Sequence, residues 1–204
     1  MDHLTCTRTD MPAALADTIF ADRGRQFVDR LKWNLCVTPQ GLEFDEYDDD
    51  SSVYLAITDR DRHLGSCRVR PVRQSTMLVD HFLTNFPEAE DFLRMQRGRV
   101  WELTRFCRAP DLSVEHSADM LAELAVLLDG FRDRHNLTGF VAVVFPQIAR
   151  FLDSIGTRYL TVAKSTMDGA PVHMICITHC VRVDGRRRRA EPKAAPKLRR
   201  LEAA

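Results

Sequence analysis

Glu102 and Arg105 stand inside residues 100–106, a strand-forming stretch that reads VWELTRF and is otherwise largely apolar. A buried strand normally excludes charges, because an unpartnered ion in a low-dielectric interior is costly. A carboxylate held in such a place has a raised pKa and can act as a general base near neutral pH. The structural alternative is an ion pair between Glu102 and an arginine, Arg105 or Arg68.

The spacing of these two charges makes a structural prediction. Side chains alternate along a regular strand, so residues three apart point to opposite faces. We expect Glu102 to face the chemistry and Arg105 to brace the acidic segment 34–52, either from the opposite face or through a β-bulge, a feature common beside active sites.

Other residues of unusual type precede this strand. Arg23, Phe27 and Trp33 lie in and after a predicted first helix, Asp45 and Asp48 lie in the acidic segment, and Arg68 lies on a predicted hairpin. Each has an ordinary explanation when taken alone: a solvated arginine, a core aromatic or a structural ion pair. Their joint spacing is more informative.

The elements that must position these residues follow from hydrophobic periodicity. We predict helices over 10–31, 117–134 and 146–155, short helical pieces within 78–96, and strands over 53–58, 64–70, 100–106, 139–145, 158–164 and 172–183. This order predicts an α/β (α+β) domain with one mixed, mainly antiparallel sheet flanked by helices. It resembles the Gcn5-related N-acetyltransferase fold, although the junction after 106 lacks the glycine-rich loop with which such enzymes hold coenzyme A.

Composition bounds the remaining possibilities. The chain has 204 residues, 45% hydrophobic and 28% charged, which suits one domain over 1–184. Residues 185–204 carry eight Arg or Lys and two Glu, and we expect a basic, disordered tail, solvated rather than bound to nucleic acid or to an acidic carrier protein. Six scattered cysteines indicate reduced thiols, and 176–180 lacks zinc-site spacing. With no apparent signal peptide or membrane span, we expect a cytoplasmic protein.

The charged residues together resemble the LuxI-type acyl-homoserine lactone synthases, or autoinducer synthases. The matching patterns run in order along the N-terminal half: Arg23 and Phe27; Arg30, Leu31 and Trp33; Gly-x-Glu-x-Asp-x-x-Asp over 41–48; Gly-x-x-Arg-x-x-Pro over 65–71; and Trp-Glu-x-x-Arg-Phe over 101–106. One departure is Lys32, which stands where relatives often have glycine. After 106 the resemblance is in element order.

The resemblance implies an acyltransferase that makes a quorum-sensing signal. An acyl group passes from a thioester, on acyl carrier protein or coenzyme A, to the amine of S-adenosylmethionine, and lactone closure releases methylthioadenosine. Glu102 is the expected base. Arg105, Asp45, Asp48 and Arg68 are the expected charged cluster of the site, and Arg23, Phe27 and Trp33 the expected contacts to S-adenosylmethionine. S-adenosylmethionine is then a substrate, and neither a cofactor nor a metal is expected.

The acyl chain needs an apolar wall, expected between strands 100–106 and 139–145. The candidates are Phe106, Val141, Val143, Val144 and Phe145, although core packing explains each alone. The resemblance implies that synthases favouring 3-oxo chains often have a threonine in this strand. Since the run FVAVVF has none, we expect an unsubstituted chain. Acyl carrier proteins are acidic, so Arg150, Arg158 and Lys164 are candidate docking residues, with Arg132 and Arg134 weaker ones.

Two other functions are compatible with the sequence. An acyltransferase of the same fold could modify an unrelated amine, in which case no methylthioadenosine would form. A binding protein could use the basic tail, with the strand charges purely structural. Histidines offer no rival catalytic centre, because His173 and His179 lie on a late strand without a nucleophile turn.

Overall fold

The computed structural model describes residues 1–180. The secondary structure runs in the order β1 (Asp2–Cys6), α1 (Ala13–Arg23), a π-helix (Gly24–Arg30), β2 (Val53–Asp59), β3 (Arg62–Pro71), a short π-helix (Leu78–Phe82), a 3₁₀ turn (Leu83–Asn85), α2 (Ala89–Met95), β4 (Val100–Arg108), α3 (Val114–Arg134), β5 (Gly139–Val144), α4 (Pro146–Ser154), β6 (Arg158–Met167) and β7 (Ala170–His179). The predicted basic tail and the predicted strand end at 181–183 lie outside the described residues.

Within residues 1–180 the strands form one seven-stranded sheet in the order β1-β2-β3-β4-β5-β7-β6. Neighbours are antiparallel except β4 and β5, which are parallel and joined through α3. The predicted fold class, a mixed and mainly antiparallel sheet flanked by helices, is therefore confirmed.

The parallel pair stays together only briefly. β4 and β5 pair over Val100–Glu102 and Gly139–Val141, and beyond Glu102 the register between them ends. The two strands therefore part in the middle of the sheet, just where the polar stretch of β4 begins. Backbone groups and side chains at such an opening can reach a ligand, which closed sheet regions do not allow.

Helices cover both faces of the sheet. On one face α3 packs against β2 to β5, and α4 packs against β5 to β7. On the other face α1 covers β1 and β2, while the segment 78–95 covers β5 to β7. Glu102 lies on this second face between α1 and the segment 78–95. No helix within 1–180 is both long enough and apolar enough to cross a membrane.

Two features at the N-terminus were not predicted. Residues 2–6 form β1, which pairs with β2, and its short sequence DHLTC carries too little alternation to signal a strand. The predicted helix over 10–31 begins at Ala13 and changes to a π-helix at Gly24. A π-helix turn often marks a functional site, because the extra residue re-aims the side chains that follow.

Candidate active site

Six buried charges close into a ring of alternating sign on the second face. Going round the ring, the residues are Arg23, Glu43, Arg105, Asp45, Arg68 and Asp48. α1 supplies one arginine, β3 and β4 supply the other two, and the acidic loop 43–48 supplies all three carboxylates. Of these, only Glu43 was absent from the predicted site, although it lies within the Gly-x-Glu-x-Asp pattern.

Four of the six contacts in the ring are charge-assisted hydrogen bonds, and the other two, Arg105–Asp45 and Arg68–Asp48, are ion pairs. Arg23 binds Asp48 through both Nη atoms at 2.8 Å and Glu43 through Nε at 2.6 Å. Arg105 bridges two carboxylates, with Nη2 at 3.0 Å from Glu43 and 2.8 Å from Asp45. Bidentate pairs of this kind fix the planes of both groups, so the ring holds the acidic loop in one position.

The ring is balanced in charge and nearly dry. The side chains of Arg23, Glu43 and Arg68 are each 1% exposed. Burial alone would raise the pKa of Asp48, but the guanidinium groups of Arg23 and Arg68 and the hydroxyl of Tyr54 hold it well below its usual range. Removing one partner would leave a buried ion uncompensated, and such losses typically cost about 3 to 5 kcal/mol.

The acidic loop is shaped by its own hydrogen bonds. The amide of Asp45 donates to Asp48 Oδ2 at 2.8 Å, and the amide of Tyr47 donates to Asp45 Oδ1 at 2.9 Å. Aspartate commonly binds a backbone amide two or three residues away, and this stabilises turns. The loop is anchored to α1 by the amide of Glu43, which donates to the carbonyl of Phe20 at 3.0 Å.

Arg105 reaches the ring through a β-bulge, which is one of the two arrangements that the sequence predicted for it. The β3–β4 register shifts between Ser66 and Arg68, and Arg105 has a φ of +52°. Trp101 and Leu103 pack towards α3, so regular alternation would send Arg105 to that face too. The bulge instead turns it towards Arg68 and the acidic loop.

Glu102 lies on the ring's face without joining the ring. It is 3% exposed, and its Oε1 accepts a 2.5 Å hydrogen bond from the amide of Leu78. Burial raises its pKa to about 7, opposed by the amides of Leu78 and Met77 and by the positive charge of Arg68. A carboxyl group with this pKa can exchange a proton at neutral pH. The charges of Arg68 and Asp45 act on the pKa of Glu102 in opposite directions: Arg68 lowers it and Asp45 raises it.

Phe27 and Trp33 form an aromatic platform beside the ring. Their rings stack with centroids 5.0 Å apart at 11°, and the guanidinium of Arg105 lies 5.6 Å from the Phe27 centroid. Phe27 is buried, whereas Trp33 is 38% exposed. The turn between them contains one residue in the left-handed conformation, Lys32, whose φ is +58°. Glycine adopts this conformation most easily, because it has no Cβ.

The predicted acyl wall divides between the two faces of the sheet. Val141, Val143 and Phe145 lie on the Glu102 face within an apolar cluster. Val144 does not belong to the same wall as these residues. Because side chains on β5 alternate, it points to the opposite face, towards α4. Phe106 follows the bulge and is 40% exposed, so it too lies apart from the cluster.

Other apolar residues complete that cluster, and sequence reasoning missed them. They come from the segment 78–95, from β4 and from the last two strands: Leu78, Phe86, Ala89, Val100, Ala163, Val172, Met174 and Cys176. Their separation along the chain hides them, since no local pattern relates the segment 78–95 to β7. A cavity of about 380 Å³ opens at the edge of this cluster. Its lining is part apolar, with Val79, Leu83, Leu93 and Val100, and part charged, with Arg73, Glu90 and Arg94.

The family model for autoinducer synthases matches residues 8–188. The chain belongs to the autoinducer synthase family. Ring, platform and Glu102 all fall within the matched segment.

Members of the autoinducer synthase family from several bacteria resemble the chain. The acyl-homoserine-lactone synthase of Vibrio anguillarum is 26% identical over 161 residues, covering 74% of this chain and 77% of that protein. The synthase of Pectobacterium parmentieri is 30% identical over 92 residues, which is 45% of this chain, and the match spans only 40% of that relative's length.

Solved structures agree on the fold. TofI in a ternary complex with an inhibitor and MTA is 25% identical, with a TM-score of 0.68 over 87% of this chain and 91% of TofI. An acyl-CoA N-acyltransferase from Pseudomonas aeruginosa, 13% identical, has a TM-score of 0.53 over 86% of this chain and 98% of its own. The autoinducer synthase fold is thus related to that of N-acyltransferases, as the element order predicted.

The candidate docking residues separate clearly by exposure. Arg150 on α4 and Arg158 and Lys164 on the edge strand β6 are exposed. Arg132, one of the weaker candidates, is buried and bound to Asp129 and Asp133. It is therefore a structural residue and unsuited to meeting a partner protein, because its charge is already neutralised.

Proposed function

We propose that this acyl-homoserine lactone synthase transfers an acyl group from a thioester to the amine of S-adenosylmethionine and then closes the homoserine lactone. The observation that carries the proposal is the buried charged ring beside Glu102 at the parting of β4 and β5. A rigid, charge-balanced wall next to a carboxyl group of raised pKa suits a zwitterionic substrate whose amine must lose a proton.

The first step forms the amide bond. Glu102, directly or through a water molecule, takes a proton from the ammonium group of S-adenosylmethionine. The free amine attacks the thioester carbonyl, and collapse of the tetrahedral intermediate expels the carrier thiolate, which takes up a proton. A positioned base typically contributes about 10² to 10⁴ in rate.

The second step forms the ring. A carboxylate oxygen of the acylated substrate attacks the carbon beside the sulfonium, and the C–S bond breaks with its electrons moving to sulfur. The products are the neutral acyl-homoserine lactone and methylthioadenosine. TofI, which shares this fold and 25% of its residues with the chain, was solved with MTA, the usual abbreviation of methylthioadenosine. The reaction as written needs no cofactor beyond the two substrates.

Binding of S-adenosylmethionine is assigned to the platform and the adjoining end of α1. Trp33 offers an exposed aromatic face for the adenine ring or the sulfonium, and Phe27 supports it from below. Contacts of this type contribute about 0.5 to 2 kcal/mol each. Arg23 is occupied by Glu43 and Asp48, so its role is to hold the acidic loop, and a direct bond to the substrate carboxylate is not needed.

The acyl chain is assigned to the apolar cluster on the Glu102 face. The cavity beside Val79, Leu83 and Val100 supports this assignment, because it adjoins the segment whose Leu78 amide binds Glu102. A chain entering there would place its thioester near the base. Val141, Val143 and Phe145 remain candidates for the wall, and an unsubstituted acyl chain is expected.

Acyl carrier protein is the proposed donor, with acyl-coenzyme A as the alternative. The exposed Arg150, Arg158 and Lys164 supply positive charge for an acidic carrier. If docking is electrostatic, kcat/KM with the carrier falls steeply between low and physiological salt, because exposed charges are screened. Coenzyme A thioesters preferred at every salt concentration would overturn the assignment. The reaction is placed in the cytoplasm, and no nucleic-acid partner is proposed.

The deciding experiment is mass spectrometry of the purified protein incubated with S-adenosylmethionine and a panel of acyl carrier protein and coenzyme A thioesters. Methylthioadenosine and an acyl-homoserine lactone appearing together with one donor is the expected result. Acyl transfer to another amine without methylthioadenosine would identify the alternative, an acyltransferase of the same fold. If folded protein forms neither product with any donor, the proposal is contradicted.

A further inference from the structure

A buried hydrogen-bonded chain of three side chains lies outside the ring. His63 Nδ1 is 2.8 Å from Asp22 Oδ2, and His63 Nε2 is 2.9 Å from Ser66 Oγ. All three are buried, His63 completely. Because a carboxylate only accepts, Nδ1 carries the proton donated to Asp22, and in neutral His63 the Ser66 hydroxyl then donates to Nε2.

The arrangement has the order of a hydrolytic triad but not its access. Ser66 lies in the middle of β3, paired with Ala56 on one side and Cys107 on the other, and is 2% exposed. A cavity of about 670 Å³ reaches Asp22 and His63, but Ser66 does not line it. A nucleophile needs an exposed position beside the scissile carbonyl, so this chain has a mechanical role.

A second bulge creates the chain. Ile57 pairs with Gly65 and Thr58 with His63, so Leu64 is an extra residue in β3. With regular alternation, His63 and Ser66 would lie on opposite faces. The bulge places both on the face covered by α1, where Asp22 projects from the last turn of the helix.

Asp22 directly precedes Arg23, so the same helix end is held at two points. Asp22 binds β3 through His63, and Arg23 binds the acidic loop through Glu43 and Asp48. The next residue, Gly24, packs so closely that an added Cβ would lie 2.3 Å from the carbonyl oxygen of Gly41. The π-helix that begins there carries Phe27.

We propose that Asp22 and His63 are positioning residues for the S-adenosylmethionine site. Their hydrogen bond holds the end of α1 against β3. It thereby fixes the directions in which the side chains of Arg23 and Phe27 point, and so the position of the aromatic platform. This inference rests on the proposed function for the identity of the substrate. Ser66 completes the chain by fixing the orientation of the His63 ring.

The test compares two variants of His63. In each, an amide side chain replaces the imidazole ring and keeps only one of its two hydrogen bonds. In His63→Asn the amide takes the place of Nδ1 and can still donate to Asp22; in His63→Gln it takes the place of Nε2 and reaches only Ser66. We expect His63→Gln to raise KM for S-adenosylmethionine roughly fivefold or more, because a hydrogen bond to a buried charge is lost. His63→Asn should raise it less, and KM for the acyl thioester should stay constant in both.

Two further variants control the comparison. Arg25→Ala removes the other partner of Asp22, an exposed arginine whose Nη1 lies 2.9 Å from Asp22 Oδ1, and should leave both KM values unchanged. Should His63→Gln not fold, Asp22→Asn, which keeps the side-chain volume, replaces it with the same expected rise. Equal KM values for the two His63 variants, or a parallel rise for both substrates, would overturn the inference.

Calorimetric titration with S-adenosylmethionine separates this inference from the proposed function. If the wild type binds S-adenosylmethionine but forms no lactone, the proposed reaction fails while the positioning role is still tested by the affinity. Weaker binding in His63→Gln than in His63→Asn would support positioning. Equal affinities would contradict it regardless of activity.

Discussion

In the proposed reaction, Glu102 is the residue on which the chemistry depends most. Burial favours its neutral form, while the amides of Leu78 and Met77 and the charge of Arg68 favour the carboxylate, and the balance raises its pKa to about 7. The arginines of the ring do not neutralise it, because their bonds go to Glu43, Asp45 and Asp48. Glu102 therefore remains able to take up a proton.

Replacing Glu102 by Gln should lower kcat by about 10² to 10⁴, the usual contribution of a positioned base. Gln preserves the volume and can still accept from the Leu78 amide, so the fold should be retained, which circular dichroism and thermal unfolding would check. Steady-state assays of lactone formation measure the effect. A kcat within a few-fold of wild type would assign Glu102 a structural role.

The rate should also depend on pH in a defined direction. The carboxylate is the active form of a base, so kcat/KM should rise with pH and level off above the raised pKa of about 7. Glu102→Gln should lose this limb of the profile while keeping any limb that belongs to the substrate amine. A wild-type profile that is flat between pH 6 and 8 would contradict this assignment.

At the scale of single elements, strand geometry decides which side chains meet. A bulge at Arg105 brings it into the ring, and a second bulge at Leu64 brings His63 to Asp22. On β5, regular alternation has the opposite effect and separates Val144 from Val143 and Phe145. One residue more or less in a strand therefore changes the composition of the site.

The alternation on β5 can be tested through acyl-chain preference. Phe145→Ala should enlarge the apolar wall and shift the preferred donor to a longer acyl chain, because Phe145 packs in the cluster on the Glu102 face. Val144→Ala is the matched control: it faces α4 and should leave the preference unchanged. Competition assays with donors of increasing length measure both. An identical preference in wild type and Phe145→Ala would remove Phe145 from the wall.

The left-handed turn at Lys32 offers a test of local strain. A residue with a Cβ in this conformation costs roughly 1 to 2 kcal/mol, partly offset by the entropy that glycine loses on folding. Lys32→Gly should thus exceed wild-type stability by up to about 1 kcal/mol in denaturant unfolding. Lys32→Ala, which keeps the Cβ, should show no such gain, and equal stabilities of the two variants would argue against strain.

At the scale of the whole molecule, the two halves of the sheet carry different parts of the site. The half with α1 and the acidic loop carries the charged ring and aromatic platform, and the half under segment 78–95 carries the apolar cluster. They meet where β4 and β5 part, beside Glu102. A polar substrate and an acyl chain can therefore approach the same carboxyl group from different sides.

Removing residues 189–204 should leave lactone synthesis unchanged, since the family model ends at 188. Kinetic comparison of the truncated and full chains measures this, with thermal unfolding as the control for folding. A large loss of kcat/KM confined to the carrier-protein donor would show that residues 189–204 of the basic tail take part in docking. Loss with every donor would place the tail inside the catalytic domain.

The sequence by itself determined the element order after β1, the fold class and most of the charged ring. Periodicity reports burial along one element at a time, so the helices α3 and α4 and the central strands could be predicted closely. Arg23, Asp45, Asp48, Arg68 and Arg105 could be identified because their joint spacing resembles that of the LuxI-type synthases, whereas each residue taken alone has an ordinary explanation.

The tertiary structure alone decided how these parts meet. Glu43 closes the ring only because the acidic loop folds back onto Arg105, 62 residues away in sequence. His63 joins Asp22 only through a bulge, and Leu78 reaches Glu102 only because its segment packs across the sheet. Contacts between distant elements depend on register and packing, and these leave no periodic signal in the chain.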